Sequence, residues 1–144
     1  MKTLTIFYDP RCGLCAKFRT WLESQPTRVV VEFLAYDCAE SLARFPSLPE
    51  LGADRDVVVL ADDGYWWQGD AAWLTCLWAT VHHRDWSFRL ASPVFQPVVK
   101  KAIHLISENR LAISRLMTLR ADADLAKAIN TFPESKCRSG ACTY

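Results

Sequence analysis

The feature that most constrains this fold is a change of periodicity near the N-terminus. Residues 3–8 alternate β-branched, aromatic and aliphatic side chains, a pattern typical of a strand. After a turn at residues 9–11, apolar residues recur at helical spacing from Cys12 until Pro26 ends the helix. Residues 29–34 are nearly all apolar, which predicts a second strand, covered by helices on both faces. Strand, helix and strand in this order predict a right-handed crossover between parallel strands.

The rest of the chain continues with a hairpin and further helices. Residues 62–64, Asp-Asp-Gly, are a hairpin turn signal between two more strands, and Asp70 is predicted to cap the helix that follows. The inward face of that helix is predicted to hold Trp73, Leu74, Leu77, Trp78 and Val81. The other predicted elements are a short helix at 37–45, strands at 56–61 and 65–68, and two helical stretches after residue 93, the second around residues 113–117. The order β-α-β-α-β-β-α predicts an α/β protein with a thioredoxin-like mixed sheet and additional C-terminal helices.

Length and composition predict a single domain with a tail. A chain of 144 residues suits one domain, and a hydrophobic content of 51% argues against intrinsic disorder. We predict a thioredoxin-like domain with its C-terminal helical extension over residues 1–129. Residues 130–144 lose the helical periodicity, and they are predicted to form a flexible tail that contains Cys137 and Cys142.

Charge and hydropathy argue against two classes of partner. The formal net charge is +1, so nothing attracts the chain generally to nucleic acid or to an anionic membrane. No apolar run approaches the roughly 20 residues of a spanning helix, and the N-terminal run is too short for a signal peptide. We therefore expect a cytoplasmic protein with reduced cysteines. A solvated helix face is predicted to hold Lys100, Lys101, Arg110, Arg115 and Arg120.

The cysteines with the most informative spacing are Cys12 and Cys15, which straddle the first turn of the first predicted helix. Free N–H groups and the positive end of the helix dipole favour a thiolate there. This assigns Cys12 as the nucleophile and Cys15, one turn further in and more buried, as the resolving thiol. Gly13 is predicted to let a partner backbone approach, and Arg11 to add a stabilising positive charge.

Asp9 has two interpretations. A carboxylate beside the thiols could accept the proton of Cys15 during exchange. Alternatively, an Asp before a helix commonly binds backbone N–H groups of the turn, and a carboxylate close to Cys12 would oppose its ionisation. The structural role is the commoner use of Asp at such a position.

The remaining cysteines leave further alternatives open. Cys137 and Cys142 could form an accessory redox pair, complete a four-thiolate zinc site with Cys12 and Cys15, or be exposed thiols. Cys38 and Cys76 fall in predicted helices, where we interpret them as structural thiols.

The residues Tyr-Asp-Pro-Arg-Cys-Gly-Leu-Cys, from position 8 to position 15, resemble the signature of the DCC family of predicted thiol-disulfide oxidoreductases. The family is named for an Asp and two Cys at this spacing, and Asp9, Cys12 and Cys15 match it. Softer similarity extends to residues 57–60, 69–72, 106–110 and 114–116. The resemblance implies a thioredoxin-like fold and a dithiol active site.

The chain departs from thioredoxins beside the third strand. Thioredoxins place a cis-proline immediately before that strand, facing the redox pair, whereas this chain has Arg55 and Asp56 there and its nearest proline is Pro49. The departure lies where thioredoxins bind substrate.

These observations predict a thiol-disulfide oxidoreductase with a thiol or disulfide substrate, for which a protein is one candidate. No tightly bound cofactor is expected, and glutathione or another thiol protein could donate electrons. The reductase direction fits the expected cytoplasmic location. The alternatives are a non-catalytic zinc-binding module and a redox-regulated interaction module, built on Cys12 and Cys15 with Cys137 and Cys142.

Overall fold

A computed structural model describes residues 1–116 of the chain as a mixed α/β structure. Its elements in chain order are β1 Thr3–Tyr8, α1 Gly13–Glu23, β2 Val30–Ala35, α2 Ala39–Arg44, β3 Val58–Ala61, β4 Trp66–Gln68, α3 Asp70–Ala79, α4 Arg84–Leu90 and α5 Gln96–Leu116. The predicted domain boundary at residue 129, the tail, Arg120, Cys137 and Cys142 lie outside the described residues.

The four strands form one mixed sheet in the order β2-β1-β3-β4. Strand β1 pairs with β2 in parallel, from Thr3 beside Val30 to Tyr8 beside Ala35, as expected for two strands joined through a helix. Strand β3 runs antiparallel to β1 and to β4. The predicted mixed α/β class with additional C-terminal helices is confirmed, and the arrangement is compatible with a thioredoxin-like fold.

The alternation of β1 places apolar side chains on both faces of the sheet. Leu4 and Ile6 pack on one face against α1 and α3, whereas Phe7 packs on the other. The buried partners on the first face include Leu22, Val59, Ala72, Cys76 and Ala79. Those on the second face are Leu48, Ala53 and Val58. Because β1 is central and covered on both sides, its C-terminal end is a rigid base for the turn that follows.

The hairpin between β3 and β4 follows the sequence prediction. Gly64 has φ +88°, and its N–H donates to the carbonyl of Ala61 to close the turn. The two adjacent tryptophans of β4 point to opposite faces, so Trp67 packs against the core while Trp66 is exposed.

Two sequence expectations about burial hold only in part. Strand β2 lies at the edge of the sheet, so its residues are only partly buried and Val30 is exposed. In α3 the buried residues are Ala72, Cys76 and Ala79, because small side chains let the helix approach the sheet closely. Of the larger residues predicted to face inward, Trp73 and Trp78 are partly buried and pack against the core, Leu74 and Leu77 are partly buried, and Val81 is exposed.

The start of α3 and the C-terminal helical region also differ from prediction. Gly69, with φ +58°, occupies the N-cap position of α3, and Asp70 is the first helical residue. A positive φ favours glycine there. The two helical stretches predicted after residue 93 form the single helix α5, which contacts both α1 and α3. None of the helices within residues 1–116 is long and apolar enough to span a membrane.

Candidate active site

Cys12 lies between the buried end of β1 and the first turn of α1. Its N–H donates to the carbonyl of Asp9 at 3.1 Å, which closes the connecting turn. Cys12 has extended backbone angles, φ −97° and ψ 109°, and its Sγ accepts the N–H of Cys15 at 3.4 Å. The helix therefore begins at Gly13, and the Cys12 sulfur takes the capping position more often occupied by a hydroxyl or carboxylate oxygen.

Both cysteines are reduced and buried. Cys12 has 0% of its surface exposed and Cys15 has 9%, and the two pack with Tyr8, Leu14 and Phe33. Both exposed fractions are small, so they do not single out Cys15 as the more buried of the pair, and that expectation stays a prediction. Apolar side chains from β1, β2 and α1 surround the start of the helix, so the Cys12 thiol lies in the protein interior.

The local hydrogen bonds favour ionisation of one thiol over the other. The Cys15 thiol, assisted by the Cys15 N–H and the positive charge of Arg110, lowers the pKa of Cys12 from 9.0 to about 6 despite burial. The pKa of Cys15 is raised, because its thiol donates to Cys12, is buried, and lies close to the negative charge of Cys12. These shifts favour ionisation of Cys12 before Cys15.

Asp9 is the buried acceptor at the centre of a small charge network. Its side chain is 4% exposed. Oδ1 accepts the N–H of Arg11 at 2.9 Å and Nε of Arg11 at 3.2 Å, whereas Oδ2 accepts Nη2 of Arg110 at 3.0 Å. The first of these bonds is the side-chain turn that the structural interpretation of Asp9 anticipates.

The described contacts of the Arg11 guanidinium are with Asp9 and Tyr36. Its guanidinium pairs with Asp9 and donates to the hydroxyl of Tyr36, over whose ring it also lies at 5.6 Å. The pKa of Arg11 is raised by its hydrogen bond to Asp9. The arginine that lowers the pKa of Cys12 is Arg110, which sequence reasoning had assigned to a solvated face.

Arg110 joins the site from the other end of the described chain. Besides Asp9, its guanidinium donates to the carbonyls of Arg55, at 2.9 Å, and Asp54. These carbonyls belong to the segment before β3, the segment in which thioredoxins carry their cis-proline. The similarity of residues 106–110 to the late helix of the DCC family was the one sequence signal that pointed to this arginine.

Gly13 occupies a different environment from the one predicted. It is buried in the first turn of α1, so it does not present an open backbone surface to a partner.

The other described cysteines lie apart from the pair. Cys38 caps α2, where its sulfur accepts the N–H of Ser41 at 3.4 Å. Cys76 is buried in α3, and burial raises the pKa of its thiol to about 12. Within residues 1–116 no three histidine, cysteine or acidic side chains are grouped closely enough to hold a metal ion.

A cavity of about 470 Å³, with several charged lining residues, opens beside Arg110. It lies between the segment before β3 and α5. Its charged lining residues are Glu50, Arg55, Asp56, His104, Glu108 and Arg110. Arg110 therefore lines the cavity and also donates to the side chain of Asp9. The backbone carbonyl of Asp9 in turn accepts the N–H of Cys12.

The pattern of buried cysteines, Asp9 and Arg110 agrees with a family comparison. A family model described as DCC1-like thiol-disulfide oxidoreductase matches residues 6–116. The chain belongs to this family. The match includes Asp9 and both cysteines, and it reaches far enough to include Arg110. Membership of the DCC1-like family confirms the resemblance seen in the sequence and supports thiol-disulfide oxidoreductase activity in general. No curated protein and no solved structure matched the chain.

Proposed function

We propose that this protein catalyses dithiol–disulfide exchange with Cys12 as the nucleophile and Cys15 as the resolving thiol. The observation that carries the proposal is the hydrogen-bonded pair itself. The Cys12 sulfur accepts the N–H of Cys15, and the Cys15 side chain lowers the pKa of Cys12 while its own pKa is raised, which favours a thiolate at Cys12 and a protonated thiol at Cys15. The Cys12 thiolate can then attack a disulfide, while Cys15 keeps its proton until the second step.

In the reductase direction, the Cys12 thiolate attacks one sulfur of a substrate disulfide. A Cys12–substrate disulfide forms, the substrate S–S bond breaks, and the other substrate sulfur leaves as a thiolate. Cys15 then loses its proton to that thiolate or to water and attacks the Cys12 sulfur. The Cys12–Cys15 disulfide forms, the second substrate thiolate leaves, and the substrate has gained two electrons from the pair.

The pKa difference within the pair also gives the order of the two steps. While Cys12 is a thiolate, the Cys15 proton is held by the hydrogen bond to it and by burial. Once Cys12 is bound to substrate its negative charge is gone, so a hydrogen bond and a charge that opposed ionisation of Cys15 are both lost. Attack by Cys15 is thereby delayed until the mixed disulfide exists.

Asp9 has a structural role in this proposal. Both of its oxygens accept hydrogen bonds, from Arg11 and from Arg110, and two of these donors carry full positive charges. These contacts hold the turn that presents Cys12 to α1.

The complete burial of Cys12 requires a local opening before a disulfide can reach it. We propose a thiol or disulfide substrate, and glutathione or a thiol protein as the electron donor that returns the pair to the dithiol. No tightly bound cofactor takes part in these steps. A reducing, cytoplasmic environment would favour the reductase direction.

The test uses the full chain in a series of glutathione redox buffers, with disulfides located by mass spectrometry. We expect a reversible Cys12–Cys15 disulfide. With glutathione disulfide as the probe, Cys12→Ser should abolish turnover and Cys15→Ser should accumulate the Cys12–glutathione disulfide. Cys38→Ser serves as the matched control and should behave as the unmodified chain. Absence of the disulfide at every redox ratio, or sustained turnover by Cys12→Ser, would contradict the proposal.

A further inference from the structure

Arg110 connects three parts of the molecule that are distant in sequence. It lies on α5, its acceptor Asp9 follows β1, and its two carbonyl acceptors, at residues 54 and 55, precede β3. Its side chain is only 13% exposed, whereas that of Asp9 is 4% exposed. A guanidinium can serve several acceptors at once because its donors are arranged in a fixed plane.

The ion pair between Arg110 and Asp9 is largely shielded from water. Removing two charges from water is costly unless their attraction and additional hydrogen bonds compensate. Here the compensation is present, since Arg110 also donates to two carbonyls and Asp9 also accepts from Arg11. Such a pair holds its members in one geometry, because each alternative geometry leaves a buried charge without partners.

The ion pair between Arg110 and Asp9 lies where it can affect the two thiols. Asp9 accepts the N–H of Cys12 through its carbonyl, so fixing Asp9 fixes the turn that carries Cys12. The charged groups that act on the two cysteines are Asp9 from the turn and Arg110 from α5. The side chains of Tyr8 and Phe33, from β1 and β2, also pack against the cysteines. Asp9 raises the pKa of Cys15, whereas Arg110 lowers the pKa of both cysteines.

We propose that Arg110 is a positioning residue of the dithiol site, holding Asp9 and the segment before β3 together while keeping a positive charge beside Cys12. The proposal rests on the exchange reaction proposed above. In thioredoxins the segment before the third strand faces the redox pair through a proline. Here the carbonyls of that segment are bound by an arginine from α5, which also contacts the carboxylate of the dithiol motif.

The test compares Arg110→Gln, Arg110→Lys and the control Arg115→Gln in the full, reduced chain. Arg115 is exposed near the end of the same helix, so its loss changes the net charge equally without touching the site. The readout is the ultraviolet absorbance of the thiolate as pH is raised, with the curve of the matching Cys12→Ser chain subtracted. This measurement needs no access of a reagent to buried Cys12 and no enzymatic turnover.

Arg110→Gln should raise the titration midpoint of Cys12 by about one pH unit, which is a tenfold loss of thiolate below the midpoint. Arg110→Lys should give a midpoint between those of Arg110→Gln and the unmodified chain, because an ammonium retains the charge but cannot serve all three acceptors. Arg115→Gln should leave the midpoint unchanged. An Arg110→Gln midpoint equal to that of the unmodified chain would overturn the proposal.

Circular dichroism of each variant shows whether it is folded. Should Arg110→Gln fail to fold, Arg110→Lys decides, and an unchanged midpoint in that variant would assign Arg110 to folding alone and overturn the proposal. The redox-buffer experiment separates this outcome from failure of the proposed function. A Cys12–Cys15 disulfide with an unchanged Arg110→Gln midpoint leaves the exchange reaction standing, whereas absence of the disulfide removes the reaction itself.

Discussion

The N–H of Cys15 points at the sulfur of Cys12 across 3.4 Å, and the Cys15 side chain is the largest cause of the lowered pKa of Cys12. One residue therefore acts on Cys12 through both its backbone and its side chain. The backbone donor comes from helix geometry and survives any substitution at position 15 that preserves α1. The side-chain contribution does not, so the two contributions can be separated.

Replacing Cys15 by Ala should raise the pKa of Cys12, because the largest cause of its lowered value is the Cys15 side chain. We expect a rise of about one pH unit or more. Cys15→Ser, which retains a hydroxyl donor, should give a smaller rise. Thiolate absorbance titration measures both, with Cys38→Ala as the control. Equal midpoints for Cys15→Ala and the unmodified chain would show that the backbone N–H alone sets the ionisation of Cys12.

The free energy of unfolding of the reduced chain should rise as pH increases from about 6 to about 9. The folded pKa of Cys12 lies below the unfolded value. The stabilisation is therefore present above the unfolded pKa and is lost as pH falls through the folded one. Denaturant titrations at several pH values measure it. The comparison is the difference between the unmodified chain and Cys12→Ser, because the histidines present in both then cancel. A difference that does not depend on pH would contradict the lowered pKa.

Asp9→Asn should destabilise the fold by about 3–5 kcal/mol, because Arg110 would keep a buried charge without its carboxylate. Asp63→Asn, at an exposed carboxylate of the hairpin turn, should cost less than about 1 kcal/mol. Urea denaturation followed by tryptophan fluorescence measures both.

The same Asp9 variant distinguishes structural support from proton acceptance. If Asp9 only supports the turn, resolution of a preformed Cys12–glutathione disulfide should keep its pH dependence in Asp9→Asn, provided that the variant is folded. A new pH dependence of that single step would instead assign the Cys15 proton to Asp9.

Arg11→Gln should move the Cys12 midpoint by less than about 0.3 pH unit, well below the effect expected for Arg110→Gln. The Arg11 side chain is 59% exposed and is engaged by Asp9 and Tyr36, so water screens its charge from the thiols. The two glutamine variants remove the same charge from opposite sides of one carboxylate. Equal Cys12 midpoints in Arg11→Gln and Arg110→Gln would show that the distance and exposure of each arginine do not affect the ionisation of Cys12.

Much of the fold follows from local patterns in the sequence. The alternation of residues 3–8, the helical spacing after Cys12 and the hairpin signal at residues 62–64 each depend on neighbours within a few positions. The structure has the corresponding elements β1, α1 and the β3–β4 turn. The dithiol motif and its family could be identified for the same reason, since Asp9, Cys12 and Cys15 lie within seven consecutive residues.

What the sequence did not reveal depends on contacts between distant segments. The bond between Arg110 and Asp9 joins residues 101 positions apart, and helical spacing in α5 does not distinguish Arg110 from the exposed Arg115. The burial of Cys12 likewise depends on Tyr8 and Phe33 from two strands. The edge position of β2 is set by sheet order, which its apolar composition does not encode.

The distance along the chain between the thiols and their arginine has a consequence for biosynthesis. A ribosome adds Cys12 and Cys15 near the start of the family-matched region, whereas Arg110 comes near its end. The nascent polypeptide therefore carries both sulfurs, throughout translation of the segment between Cys15 and Arg110, without the guanidinium that later contacts Asp9. Assembly of the charge network waits for α5 to be translated and to pack on α1.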